Sequence, residues 1–97
     1  MPTIDVRRRH DLGLDQARAA ADRIAARLEE KAQIKHRWEG DVLRLERSGA
    51  NGRIDVGATE VRVQIDLSLM LRPMKGQVER KVHDYLDRYL VGPEPNG

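Results

Sequence analysis

The sequence predicts an α+β domain of order β-α-β-β-β-β-α, an antiparallel sheet of about five strands with two helices packed on one face. Three observations predict it. From Val61 to Leu69 every second residue is apolar (Val61, Val63, Ile65, Leu67, Leu69), with Arg62, Gln64, Asp66 and Ser68 between them. Period two marks a strand with one dry face and one wet face. Two flanking segments carry apolar residues three and four apart, the pattern of helices with a single dry stripe. The strand-forming segments between those helices are joined by short turns, which makes them antiparallel neighbours. A ferredoxin-like split is the competing topology, and the run of four strands after the first helix argues against it.

Ile4 to His10 reads as a short strand, with Ile4 and Val6 on one side and Asp5, Arg7 and Arg9 on the other. Leu12-Gly13 opens the first helix, with Gly13 as N-cap and Gln16 at the third helical position in a weak capping box. Asp15 favours the positive helix start. Leu14, Ala17, Ala21, Ile24 and Leu28 form its stripe, and the helix runs to Lys31 or Gln33. Strands follow at Ile34–Trp38 and Val42–Arg47, the second with Leu43 and Leu45 on one face. Ser48 to Gly52 is turn chemistry, because Gly and Asn tolerate positive φ. Arg53 to Val56 is a further strand, Gly57-Ala58-Thr59 turns again, and the long strand begins at Val61. Arg72-Pro73 stops it, since Pro cannot donate to a ladder. The last helix runs from Met74 to Val91 with Met74, Val78, Val82, Leu86 and Tyr89 as its stripe, and Gly92-Pro93 closes it. The expected organisation is one domain over residues 1–92 and a frayed tail over 93–97, with the first strand pairing with the long last one. The strand at Ile34–Trp38 then lies at a sheet edge, where it could pair two subunits in a homodimer.

With 97 residues the chain can bury one core between two layers and has little surface to spare for a deep pocket. Apolar residues make up 39% and charged residues 35%, the balance of a soluble globular chain. The core must be aliphatic, because the aromatics are Trp38, Tyr85 and Tyr89 with no Phe. Net charge is +2 with acids and bases interspersed, unlike the lopsided balance of a nucleic-acid binder, so no nucleic-acid partner is expected. The absence of Cys excludes disulfides and thiolate metal sites. The N-terminus has no apolar stretch of signal-peptide type, and nothing approaches the roughly 18 apolar residues of a membrane span, so a cytoplasmic protein is expected.

Few residues suggest chemistry. His10, His36 and His83 have no i, i+4 partner on a helix, so no metal is expected. His10 ends the first strand, where it orients the following loop or sits near a ligand. Ser48 and Ser68 lie in no G-x-S-x-G elbow, and the glycines at 49 and 52 do not match a phosphate loop. Arg7-Arg8-Arg9-His10 is the one basic run; without an aromatic platform it reads as Arg7 and Arg9 pairing with acids on the wet face and Arg8 emerging at the rim. Leu67, Leu69, Met70, Leu71 and Met74 form the most apolar local cluster. There Leu67 and Leu69 are core by alternation, and Met70 falls towards water or a partner.

Three motifs then carry a resemblance. The His10-x-Leu12-Gly13-x-x-x-Ala17-Arg18 opening, the Arg47-Ser48-Gly49-Ala50-x-Gly52 hairpin and the Met74-Lys75-x-x-Val78-Glu79 helix start are similar to the polyhydroxyalkanoic acid system family. These are small bacterial proteins of about this length, associated with polyhydroxyalkanoate storage-granule genes. The resemblance covers Ile4 to about Leu90 and excludes the tail after Val91. It implies a granule-associated or regulatory role and brings no catalytic residue with it.

The resulting expectation is a helix-grip-like domain that acts as a non-enzymatic accessory protein of polyhydroxyalkanoate metabolism, binding the granule surface or granule proteins. The alternative is a small-ligand module holding an acyl or hydroxyacyl chain between the last helix and the sheet, lined by Leu69, Val78 and Val82. No catalytic group, cofactor or metal is expected. The candidate binding residues are Met70, Leu71, Met74, His10, Arg47 and Ser48.

Overall fold

The computed structural model describes residues 2–90. Its elements are β1 (Ile4–Arg9), α1 (Gly13–Ala32), β2 (Lys35–Glu39), β3 (Val42–Arg47), β4 (Ala50–Val56) and β5 (Glu60–Leu67). A 3₁₀ turn (Arg72–Met74) then leads into α2 (Lys75–Tyr89). Val91, the Gly92-Pro93 stop and the tail lie outside the described residues.

The five strands form one antiparallel sheet in the order β1-β5-β4-β3-β2. β2 to β5 are a meander, and β1 pairs with β5, Val6 opposite Val63. The chain therefore leaves one edge at β1, crosses as α1, and re-enters at the other edge as β2, the expected edge strand. Charged Lys35, Arg37 and Glu39 alternate along that edge. On its dry side Trp38 is covered by α1: its Nε1–H donates to Asp22 at 2.7 Å, and the Arg18 guanidinium lies 4.0 Å from the ring centroid.

Alternation decides which face is dry. Ile4, Val6, Leu43, Leu45, Ile54, Val56, Val61, Val63, Ile65 and Leu67 are all buried. They share one cluster with Ala17, Ala20, Ala21, Ile24 and Ala25 of α1 and with Val82 and Leu86 of α2. Both helices therefore cover the same face. Alanine supplies most of the buried stripe of α1, which lets that helix lie close on the strands.

The opposite face is a lattice of charge. Arg62 forks onto Asp5 across strands, Nε to Oδ1 at 2.9 Å and Nη2 to Oδ2 at 2.7 Å. This hydrogen bonding by Arg62 holds the Asp5 carboxyl below the usual carboxylate range. Hydrogen bonds from Arg44 and Arg37 do the same to Glu39. Arg7 pairs with Glu60 at 3.9 Å as expected, whereas Arg9 meets no carboxylate among the described residues. Arg8, on the dry side at the rim, reaches α2 and pairs with Asp87 beside His83.

Apart from shifts of a single residue, as at β2 and the start of α2, three boundaries differ from the sequence expectation. First, no side-chain box caps α1: its N-cap is Leu12, without a side-chain cap bond, and Gly13 takes φ +80°. The Leu12 N–H donates instead to Nδ1 of His10 at 3.1 Å. Second, the β3–β4 turn is shorter than Ser48 to Gly52. Asn51 and Gly52 pair with Glu46 and Leu45, leaving a two-residue turn with φ +87° at Gly49. Third, β5 ends at Leu67, so Leu69 is not core; it is 78% exposed. The ladder runs out there. Leu67 is opposite Ala50, the first residue of β4, and its N–H donates to Thr3 Oγ1 ahead of β1. With no partner strand beyond, the chain turns, and the Leu71 and Arg72 N–H groups both donate to the Ser68 carbonyl.

Candidate functional site

At the Ser48-Gly49 end of the sheet the two layers part. The dry positions of β4 read Ala50, Gly52, Ile54, Val56, so the first two offer almost no side chain to fill the space above them. Here α1 ends at Ala32 and α2 has only begun at Lys75. The result is a cleft of about 350 Å³ between helices and sheet, within the size range of small-molecule sites. Leu28, Ile34 and Leu45 wall it on one side, and Leu71, Val78 and Val82 on the other. Toward the middle of the domain it closes, leaving about 10 Å³ among Ile24, Ile54 and Leu86.

The charged residues lining the cleft are Lys31, Arg47 and Lys81. Lys31 comes from the last turn of α1, Arg47 from the end of β3 and Lys81 from α2. Among the described residues none of the three meets a carboxylate at ion-pair distance. Arg47 Nη1 donates to the Ala32 carbonyl at 2.9 Å, which fixes the end of α1 against the hairpin and sets the guanidinium at the cleft.

Five of the six sequence candidates gather here. Leu71 and Met74 line the cleft with Arg47. Leu71 folds over the β3–β4 turn, so that a Cβ at Gly49 would lie 3.0 Å from its Cδ1. Ser48 is exposed in that turn, and Met70, next to Leu71 in the chain, is 88% exposed. Met74 is 46% exposed; with Leu69 and Met70 it lies on the short connection from β5 to α2, which forms an apolar knuckle that reaches the cleft at Met74. Of the expected acyl-chain lining, Val78 and Val82 are in place and Leu69 is not.

His10 does not join them. It lies at the other end of β4, roughly 20 Å away at about 3.3 Å per residue, where its own N–H donates to the Thr59 carbonyl. Because Nδ1 accepts from Leu12 N–H, the ring proton sits on Nε2 and donates to the Gly57 carbonyl at 3.0 Å. His10 is buried and latches the start of α1 to the β4–β5 turn. Among the described residues no three His, Asp or Glu side chains converge as a metal group.

Sequence reasoning places Ala50 and Gly52 in the hairpin motif and not at a cleft floor, and it assigns no site role to Lys31 or Lys81. The small-small-large-large order of the dry positions of β4 was a readable sign of a gap in the core. The two lysines carried no such sign, because only the packing of α1 beside α2 brings them together.

Fold and site define a two-layer α+β domain with an apolar cleft rimmed by cations. The chain belongs to the polyhydroxyalkanoic acid system protein family, whose model matches residues 4–90. Comparison with curated proteins and with solved structures gives no match. No helix among the described residues is long and apolar enough to cross a membrane.

Proposed function

We propose that this protein is a non-enzymatic accessory component of the polyhydroxyalkanoate system that docks on the polyester surface of storage granules. The observation that carries the reading is the knuckle of Leu69, Met70 and Met74. Among the described residues these are the large hydrophobic side chains left exposed, and the other aliphatic ones are mostly packed away. Side chains of this size gain about 1.5–3 kcal/mol each on leaving water, and a polyester surface offers a matching apolar contact. Methionine adapts to an irregular surface better than a branched side chain does. Family membership supports the polyhydroxyalkanoate setting.

Sedimentation with polyester granules stripped of their own proteins tests the reading. The wild-type chain is expected in the pellet. Met70→Lys, at a highly exposed position outside the core cluster, is expected to keep the thermal midpoint and lower the bound fraction by about tenfold or more. Wild-type protein left in the supernatant, or Met70→Lys sedimenting equally well, would overturn the reading. Binding only to native granules that keep their protein coat would also overturn it, in favour of a protein partner.

A further inference from the structure

We infer that the cleft at the hairpin end is a binding site for a single medium-length alkanoate, with the chain between helices and sheet and the carboxylate at the rim. This goes beyond granule docking, because it rests on the cleft and its cations rather than on the knuckle.

Three features select that ligand. The first is shape and lining. The walls are aliphatic, and the floor is left open where β4 places Ala50 and Gly52 on its dry face. The cleft is a groove with a closed inner end, not a flat patch, which suits one chain better than a protein surface. The second is volume. A space of about 350 Å³ at roughly 30 Å³ per water-sized group holds on the order of ten chain atoms. A chain of eight to ten carbons fills it, and one of sixteen must leave its end in water.

The third is charge. Lys31, Arg47 and Lys81 line the cleft, no acid does, and none of the three is neutralised by an ion pair among the described residues. Lys31 and Arg47 also serve the carbonyl end of α1. Lys81 has no such duty: it sits in the middle of α2 beside Val78 and Val82, far from either helix end. A neutral chain would use the walls and ignore the rim, a cation would be repelled by it, and a carboxylate uses both.

Calorimetric titration of the full chain below the aggregation concentration of the probes tests this. Decanoate is expected to bind saturably at one per chain. Decanol is expected to bind at least about threefold more weakly, and decyltrimethylammonium and acetate not measurably. Lys81→Glu alters an exposed side chain, so the fold survives, and decanoate affinity is expected to fall about tenfold while decanol is little changed. Val78→Trp is expected to fill the cleft and remove binding of both.

No saturable decanoate binding, equal affinities for decanoate and decanol, or an unchanged Lys81→Glu would each overturn the assignment. So would a concentration-dependent dimer that decanoate fails to dissociate, since a second copy would then occupy the cleft. The two readings separate cleanly: Met70→Lys is expected to bind decanoate normally, and Lys81→Glu to sediment with granules normally.

Discussion

Leu43→Ala is expected to lower the free energy of unfolding by about 3 kcal/mol, within the 2–5 kcal/mol typical of emptying a fully buried leucine site. Leu43 has no exposed surface and sits in β3, one strand in from the edge, opposite Trp38 on β2 and Ile54 on β4. Ile54 is also paired with Val63 of β5, and Trp38 is fixed by Asp22 and Arg18 of α1, so the surroundings can relax little into the space. The core has no Phe to spread over a gap. For a domain whose whole stability is of the order of 5–15 kcal/mol, such a loss is a large fraction. It corresponds to a fall of roughly 10–25 °C in Tm at this chain length. Urea denaturation is the direct check: the midpoint should drop with the slope unchanged. A loss below about 1 kcal/mol would mean that β3 is not part of the central packing.

Period two made the sheet legible. In β5 every second residue from Val61 to Leu67 is buried, as are Leu43 and Leu45 in β3, and the alternation Val61, Val63, Ile65, Leu67 states the dry face without ambiguity. The two stripes at helical spacing required a roof on that face, and short turns required antiparallel neighbours. Leu69 shows where this reasoning stops. Alternation continues past Leu67 in the sequence, but a strand needs a neighbour, and neither β1 nor β4 extends that far. Pattern along one strand cannot report the length of another. The turn at Ser48 is shorter than its residue types suggest for a related reason. Asn51 and Gly52 have turn chemistry, yet Glu46 and Leu45 stand opposite with open hydrogen bonds, and pairing wins. At the cleft, the apolar residues Leu71 and Met74 were legible as a cluster because they are close in sequence. The rim was not, because Lys31, Arg47 and Lys81 belong to three elements that meet only through the crossover of α1. His10 was legible as a residue with a task, and the structure assigns that task to the α1 entry, away from the cleft.

Gly52→Val is expected to destabilise the chain by about 3 kcal/mol, at the upper end of the usual cost of overpacking. Gly52 lies on the dry face of β4 opposite Ile65 of β5. A Cβ there would lie 2.8 Å from the Gln64 carbonyl oxygen and 3.1 Å from Ile65 Cγ1. The first contact is with backbone that is tied into the β4–β5 ladder, so it cannot swing aside as a flexible side chain would. Valine adds two methyl groups beyond that Cβ, directed at the floor of the cleft. The folded fraction of Gly52→Val is therefore expected to have lost decanoate binding as well as stability. Gly76→Ala is the matched control, because it changes a second glycine in the same chain with the opposite sign. Gly76 is helical, exposed, and has nothing within 4 Å of its would-be Cβ. Alanine there only narrows the unfolded ensemble, so a gain of about 0.5 kcal/mol is expected. Chemical denaturation of the two variants beside the wild type reads both signs. If Gly52→Val were neutral while Gly76→Ala gained, close approach of β4 and β5 would not be what demands glycine at position 52, and the cleft floor would have another cause.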